Sequence, residues 1–145
     1  MRTRAAVALL PVLAAGCGGG GELSRSELVA KGDAICDRVN RQIAKQPDPK
    51  TVGDLERLAK RTAAISGPAI DDMEALEPPS ELQADFDKFV ASLKRQRDLT
   101  RRIGDAAASG DTAKVQQIGA DAQKAQAEYQ RLTGKIGFKE CGGGS

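Results

Sequence analysis

Residues 115–136 read Val-Gln-Gln-Ile-Gly-Ala-Asp-Ala-Gln-Lys-Ala-Gln-Ala-Glu-Tyr-Gln-Arg-Leu-Thr-Gly-Lys-Ile. Val115, Ile118, Ala122, Ala125, Tyr129, Leu132 and Ile136 are separated by alternating steps of three and four. That seam holds for three heptads and is the pattern of a helix packed lengthwise against others. Its middle positions are small, which lets a neighbouring helix approach closely. Asp111 or Thr112 suits the N-cap, Gly137 the C-cap, and Phe138 is placed to cover the end of a core.

Working back from this helix, the same period recurs three more times. Leu28, Ile35, Val39 and Ile43 form the stripe of a first helix, which opens at Ser24 or Ser26; Ser24-x-x-Glu27 has the capping-box pattern. Gln46-Pro-Asp-Pro-Lys50 stops it, because neither proline continues the hydrogen-bond ladder. A second helix starts near Thr51, with Asp54 as its capping partner and Val52, Leu55, Leu58, Ala59, Thr62 and Ile65 as its stripe. Gly67-Pro68 is expected to kink or break that helix, and Ile70, Met73 and Leu76 carry the stripe on to Pro78-Pro79. Ser80-x-x-Gln83 predicts a capping box for a third helix with Leu82, Phe86, Phe89, Val90, Leu93, Ile103 and Ala107 as its stripe. Gln96 and Thr100 stand where that stripe calls for apolar residues. Short connections favour antiparallel neighbours, so the sequence predicts an all-α fold, an up-down-up-down four-helix bundle over residues 24–141. Residues 142–145, Gly-Gly-Gly-Ser, are expected to be an unstructured tail.

The N-terminus carries a different signal. Arg2 and Arg4 precede an apolar run from Ala5 to Ala15, too short and wrongly flanked for a permanent membrane span. Leu13-Ala-Ala-Gly-Cys17 closes it and resembles the lipobox of bacterial lipoprotein precursors. The resemblance implies that residues 1–16 are a cleaved signal peptide and that Cys17 is lipidated and begins the mature chain, with residues 17–23 as a Gly-rich spacer. The implied address is the extracytoplasmic face of the cell membrane, or the outer membrane in a two-membrane cell.

Export bears on the cysteines and on the charge. Of three cysteines, Cys36 and Cys141 remain after Cys17, an even pair in an oxidising compartment. They read as one disulfide joining the start of the bundle to its end, which the up-down-up-down topology brings together. Free thiols, a redox pair or metal ligands are the alternatives, disfavoured without histidine or a Cys-x-x-Cys spacing. Closing a loop of ~100 residues contributes up to ~4.7 kcal/mol in the chain-entropy model. The leader holds two of the chain's 22 basic residues and none of its 20 acidic ones, so the remaining 129 of 145 residues carry 20 of each. A neutral domain with no Trp, one Tyr and three Phe gives no electrostatic or stacking case for nucleic acid. The absence of histidine excludes serine–histidine and cysteine–histidine catalysis and histidine-bound metals.

What remains are weak candidates. Asp71, Asp72, Glu74 and Glu77 lack the alternating ligands of a calcium loop and read as a solvated face. Lys94, Arg95, Arg97, Arg101 and Arg102 form the densest basic stretch, either a partner-contact patch or a wet face with Asp98 and Asp105 interspersed. Asn40, Gln96, Thr100 and Tyr129 are the candidates for polar groups facing the interior, where they would fix helix register or line a small-ligand pocket.

The mature region is similar to small helical lipoproteins of high-GC bacteria, of actinobacterial type. The similarity is carried by Ala34-Ile-Cys-Asp37, Leu76-Glu-Pro-Pro79, the Gly110-Asp111 turn and Ile136-Gly-Phe-Lys-Glu-Cys141. It implies a secreted helical domain with paired cysteines and transfers no activity, cofactor or metal. The expectation is a non-enzymatic, membrane-anchored envelope protein that contacts the bilayer through Cys17 and binds an envelope protein partner or serves structurally. The alternative is a carrier or sensor of a small ligand inside the bundle, which requires a pocket edged by Gln96, Thr100 and Tyr129. The anchor is directly testable. The chain is expected to partition with membranes and to incorporate labelled fatty acid, and Cys17→Ser to lose the label; an unlabelled, freely soluble wild type would overturn the lipobox reading.

Overall fold

The computed structural model of the chain describes residues 21–142. The expected signal peptide (residues 1–16), Cys17 with residues 18–20 of the expected spacer, and residues 143–145 lie outside them. Four helices follow in order, α1 (Arg25–Ala44), α2 (Val52–Glu74), α3 (Gln83–Ala108) and α4 (Thr112–Ile136), with a short 3-10 turn at Glu140–Gly142. Gly142 therefore belongs to that turn rather than to the tail. Among the described residues there is no strand, and no helix is long and apolar enough to cross a membrane.

The helix starts follow local chemistry. Ser24 caps α1 through the reciprocal pair with Glu27, and Thr51 caps α2 in the same way with Asp54. Asp111 accepts from Lys114 N at 2.9 Å to open α4. The Ser24 hydrogen bonds hold the Glu27 carboxyl below the usual carboxylate range. The Thr51 hydroxyl and then the Arg57 guanidinium do the same for Asp54. Both caps stay ionised at neutral pH, where a negative charge beside a helix N-terminus is favourable.

Two local expectations are corrected. The Ser80–Gln83 capping box does not form: α3 starts at Gln83 behind Leu82, which makes no side-chain cap. The preceding residues close a tight turn, with Leu82 N bonded to Pro79 O at 2.8 Å. Ser80 N donates to the Glu22 carboxylate, and the Gln83 amide donates to Asp87 instead of reaching back. Gly67-Pro68 does not break α2, which runs through Pro68. The proline deprives the Ala64 carbonyl of its donor, but Ala64 is exposed and water can serve it. Ala59 on one side of the proline and Ile70 and Met73 on the other are buried, so packing holds both halves in line.

α3 is the central helix and packs along both α2 and α4, while α1 rests more lightly on α2. The contacts are those compatible with antiparallel neighbours. Lys94 reaches Glu74 while Gly104 lies against Ala59, and Lys135 reaches Asp85 while Arg95 faces Glu128. Leu23 N bonds to Glu77 O, and Arg25 donates to the carbonyls of Lys135 and Ile136. The start of α1 and the ends of α2 and α4 therefore share one end of the bundle.

α1 and α4 meet mainly through the chain after α4. Gly137 takes a left-handed turn (φ 101°), as a C-cap glycine can, and its N–H bonds to Thr133 O. Phe138 then enters the core against Phe89, ring centroids 5.0 Å apart. Its other face lies on Gly32 of α1, where a Cβ would overlap the ring. Asp33 accepts from Lys139 N and Glu140 N at 2.9 and 3.0 Å, and Asn40 donates to Glu140 O at 2.9 Å. Cys141 closes the strap with a disulfide to Cys36, Cα atoms 5.0 Å apart.

The core is in two parts. One holds Leu28, Met73, Phe86, Phe89, Leu132, Ile136 and Phe138 at the strap end. The other holds Leu99, Ala106, Ile118 and Ala125 toward the Gly110 turn. Gly32→Ala is expected to push Phe138 off α1 and cost about 1–3 kcal/mol in thermal or urea unfolding, the usual penalty of overpacking. Gly119→Ala, at a helical site with no atom within 4 Å, should be neutral or gain up to about 1 kcal/mol.

Candidate functional site

Between the two apolar clusters the stripes of α3 and α4 turn polar. A cleft of about 250 Å³ lies at this level, walled by all four helices and open to solvent on one side. Ile35, Val39, Asn40 and Ile43 line it from α1, and Thr62, Ser66, Ile70 and Met73 from α2. Leu93, Gln96, Arg97 and Thr100 face it from α3, Gln126 and Tyr129 from α4, and the Cys36–Cys141 bridge lies beside Tyr129 in the lining. Buried Ile70, Met73, Tyr129 and the disulfide form its inner surface, while exposed Asn40 and Arg97 stand at its rim.

Its polar groups differ in what they have left to bond. The Tyr129 hydroxyl donates to Cys141 O, which ties the cleft to the strap. Burial, with the negative charge of Asp33 second, pushes the tyrosine well above its ordinary range. It stays a neutral donor at physiological pH. Ser66 donates back to Thr62 O at 2.8 Å within α2. Gln96 is different: its Nε2 is buried and has no hydrogen-bond partner. A buried amide donor without an acceptor costs about 1–3 kcal/mol, so this position opposes stability unless something supplies the acceptor.

Of the residues singled out in the sequence, Asn40, Gln96, Thr100 and Tyr129 come together around this cleft, and Cys36 and Cys141 border it. The pocket edged by Gln96, Thr100 and Tyr129 is walled by α2 as well as by α1, α3 and α4. The five cations of the basic stretch on α3 fall on two faces, because 94, 97 and 101 recur with the helical period and 95 and 102 lie about a quarter turn away. Lys94 pairs with Glu74, Arg101 with Asp98 and Arg95 with Glu128. Arg97 has no carboxylate within 4 Å among the described residues, and it extends over Gly67, where a Cβ would lie 3.6 Å from its Nη1. The acids at the end of α2 are exposed, Asp72 paired with Arg38 and Glu74 with Lys94.

Sequence reasoning placed Thr62 in an apolar stripe and passed over Ser66 and Gln126. Their signal was present: Thr62 and Ser66 are four apart on the buried face of α2, and Gln126 lies four after Ala122 and three before Tyr129. No family of known proteins, no curated protein and no solved structure matches the chain, so function has to be read from the cleft itself.

The lining offers amide and hydroxyl groups, apolar walls and one guanidinium, with no carboxylate to act as a base. Two substitutions should move stability in opposite directions in urea unfolding. Gln96→Leu removes the unpartnered amide and is expected to gain about 1–3 kcal/mol, whereas Tyr129→Phe leaves the buried Cys141 carbonyl unpaired and is expected to lose about as much.

Proposed function

We propose that this chain is a lipid-anchored, extracytoplasmic protein that holds a small ligand in the cleft between α1 and the other three helices. The observation that carries this reading is the buried Gln96 Nε2, unpartnered among the described residues, at a cleft between two apolar clusters. An amide retained at a cost to the fold is accounted for by a ligand that supplies its acceptor. The lipobox resemblance supplies the anchor at Cys17. A spacer of six or seven residues reaches only ~14 Å, which keeps the bundle near the bilayer. The cleft lies along the half of α1 farther from that anchor, where a ligand can arrive from the aqueous side. An envelope protein partner is the weaker reading, because three of the five α3 cations offered for it are already matched with carboxylates.

Tyr129 is the only tyrosine of a chain without tryptophan, so its fluorescence reports on the cleft. Straight-chain alcohols are expected to change that emission saturably. Affinity should rise about fourfold per methylene, from ~0.8 kcal/mol each, and level off near eight carbons as the cleft fills. No saturable change with any chain length would sink the proposal.

A further inference from the structure

Resting on that reading of the cleft, we infer that its ligand is a small amphipathic anion, an apolar body bearing a single carboxylate. Three observations converge on this chemistry. The first is charge: among the described residues Arg97 is the one charged residue of the lining, and no Asp or Glu faces the cleft. Its neighbours Lys94 and Arg101 have carboxylate partners, and the adjacent Asp98 is engaged by Arg101, so Arg97 alone of this face is left for an external anion. Gly67 beneath it leaves room for the guanidinium to lie at the rim.

The second is the unpartnered Gln96 Nε2. It is a donor awaiting an acceptor, and a carboxylate accepts several hydrogen bonds while offering no competing donor. Gln96 and Arg97 are consecutive on α3 and both line the cleft, one inside it and one at its rim. A headgroup bound at this edge meets the Arg97 cation and gains the neutral donor once the Gln96 side chain turns its Nε2 into the cleft. The third is the remaining surface: Ile35, Val39, Ile70, Met73 and Leu93 give the rest of the ligand an apolar bed. Scaling from a 150 Å³ cavity that accepts benzene, the space suits a body of roughly ten non-hydrogen atoms. That is a medium-chain or aromatic carboxylic acid, and it is too little for a two-chain membrane lipid.

The test compares three probes of equal chain length, octanoate, 1-octanol and octylammonium, by Tyr129 fluorescence. The protein is the mature chain (residues 17–145) with Cys17→Ser, its disulfide intact. Octanoate is expected to bind about tenfold more tightly than octanol, the combined effect of a half-solvated ion pair and one charge-assisted hydrogen bond, with octylammonium weakest. Arg97→Gln should remove most of the preference for octanoate over octanol, and Arg97→Lys should retain part of it. Arg97 is exposed, and an unchanged helical circular dichroism spectrum will show that these variants fold. Octanol binding as tightly as octanoate, or a preference that survives Arg97→Gln, overturns the anion assignment and leaves the cleft as a ligand site. No saturable binding of any of the three removes the cleft reading itself.

Discussion

The structure depends on how its last residues hold its first helix. α2, α3 and α4 pack along one another, but α1 has a lighter contact with α2 and meets α4 chiefly through the strap at residues 137–142. Three kinds of interaction fasten that strap. Phe138 lies on the bare backbone at Gly32, the Asp33 carboxylate collects two successive amides, and the Cys36–Cys141 bond adds a covalent tie. They fix α1 at its middle. The half of α1 beyond Cys36, with Val39 and Ile43 only half-buried, is where the bundle opens. A fully docked α1 would have closed the cleft, and an unfastened one would have left no wall.

The cleft has a thermodynamic character that follows from its place between two cores. A continuous apolar stripe through α3 would have joined the Phe89 cluster to the Leu99 cluster and added burial at both Gln96 and Thr100. Instead the interior carries amides and hydroxyls at that level, and one of the amides lacks a partner. Against a domain stability of ~5–15 kcal/mol, that one group is a sizeable cost wherever neither water nor a ligand supplies its acceptor. The strap contributes in the other direction, since a cross-link over a loop of ~100 residues restricts the unfolded chain more than a short loop does. The same bond therefore stabilises the fold and borders its least stable feature.

Much of this was legible residue by residue. The Ser24 and Thr51 boxes, the Asp111 cap and the Gly137 stop are local interactions, and local sequence suffices to specify them. The apolar stripes of the four helices and the paired cysteines were enough for the helices and for the disulfide. The failures have causes that reach beyond the local sequence. At Ser80 the capping pattern is present, but a turn over Pro79 and the Glu22 carboxylate take the groups the box needs. At Pro68 the intrinsic penalty is real, but buried neighbours on both sides outweigh it.

What the sequence by itself determined is the secondary structure, the class of fold, and the presence of polar residues where the α3 stripe should be apolar. Those properties depend on spacing within one helix, at most a few turns long. What only the tertiary structure decided is whether Gln96, Thr100, Asn40 and Tyr129 belong to one site, and which of the cations on α3 faces the cleft without a carboxylate partner among the described residues. Both depend on the relative depth and rotation of helices, set by the Phe138–Gly32 contact and by which carboxylate lies across each groove. Periodicity places a residue on a face, but only packing decides what that face meets.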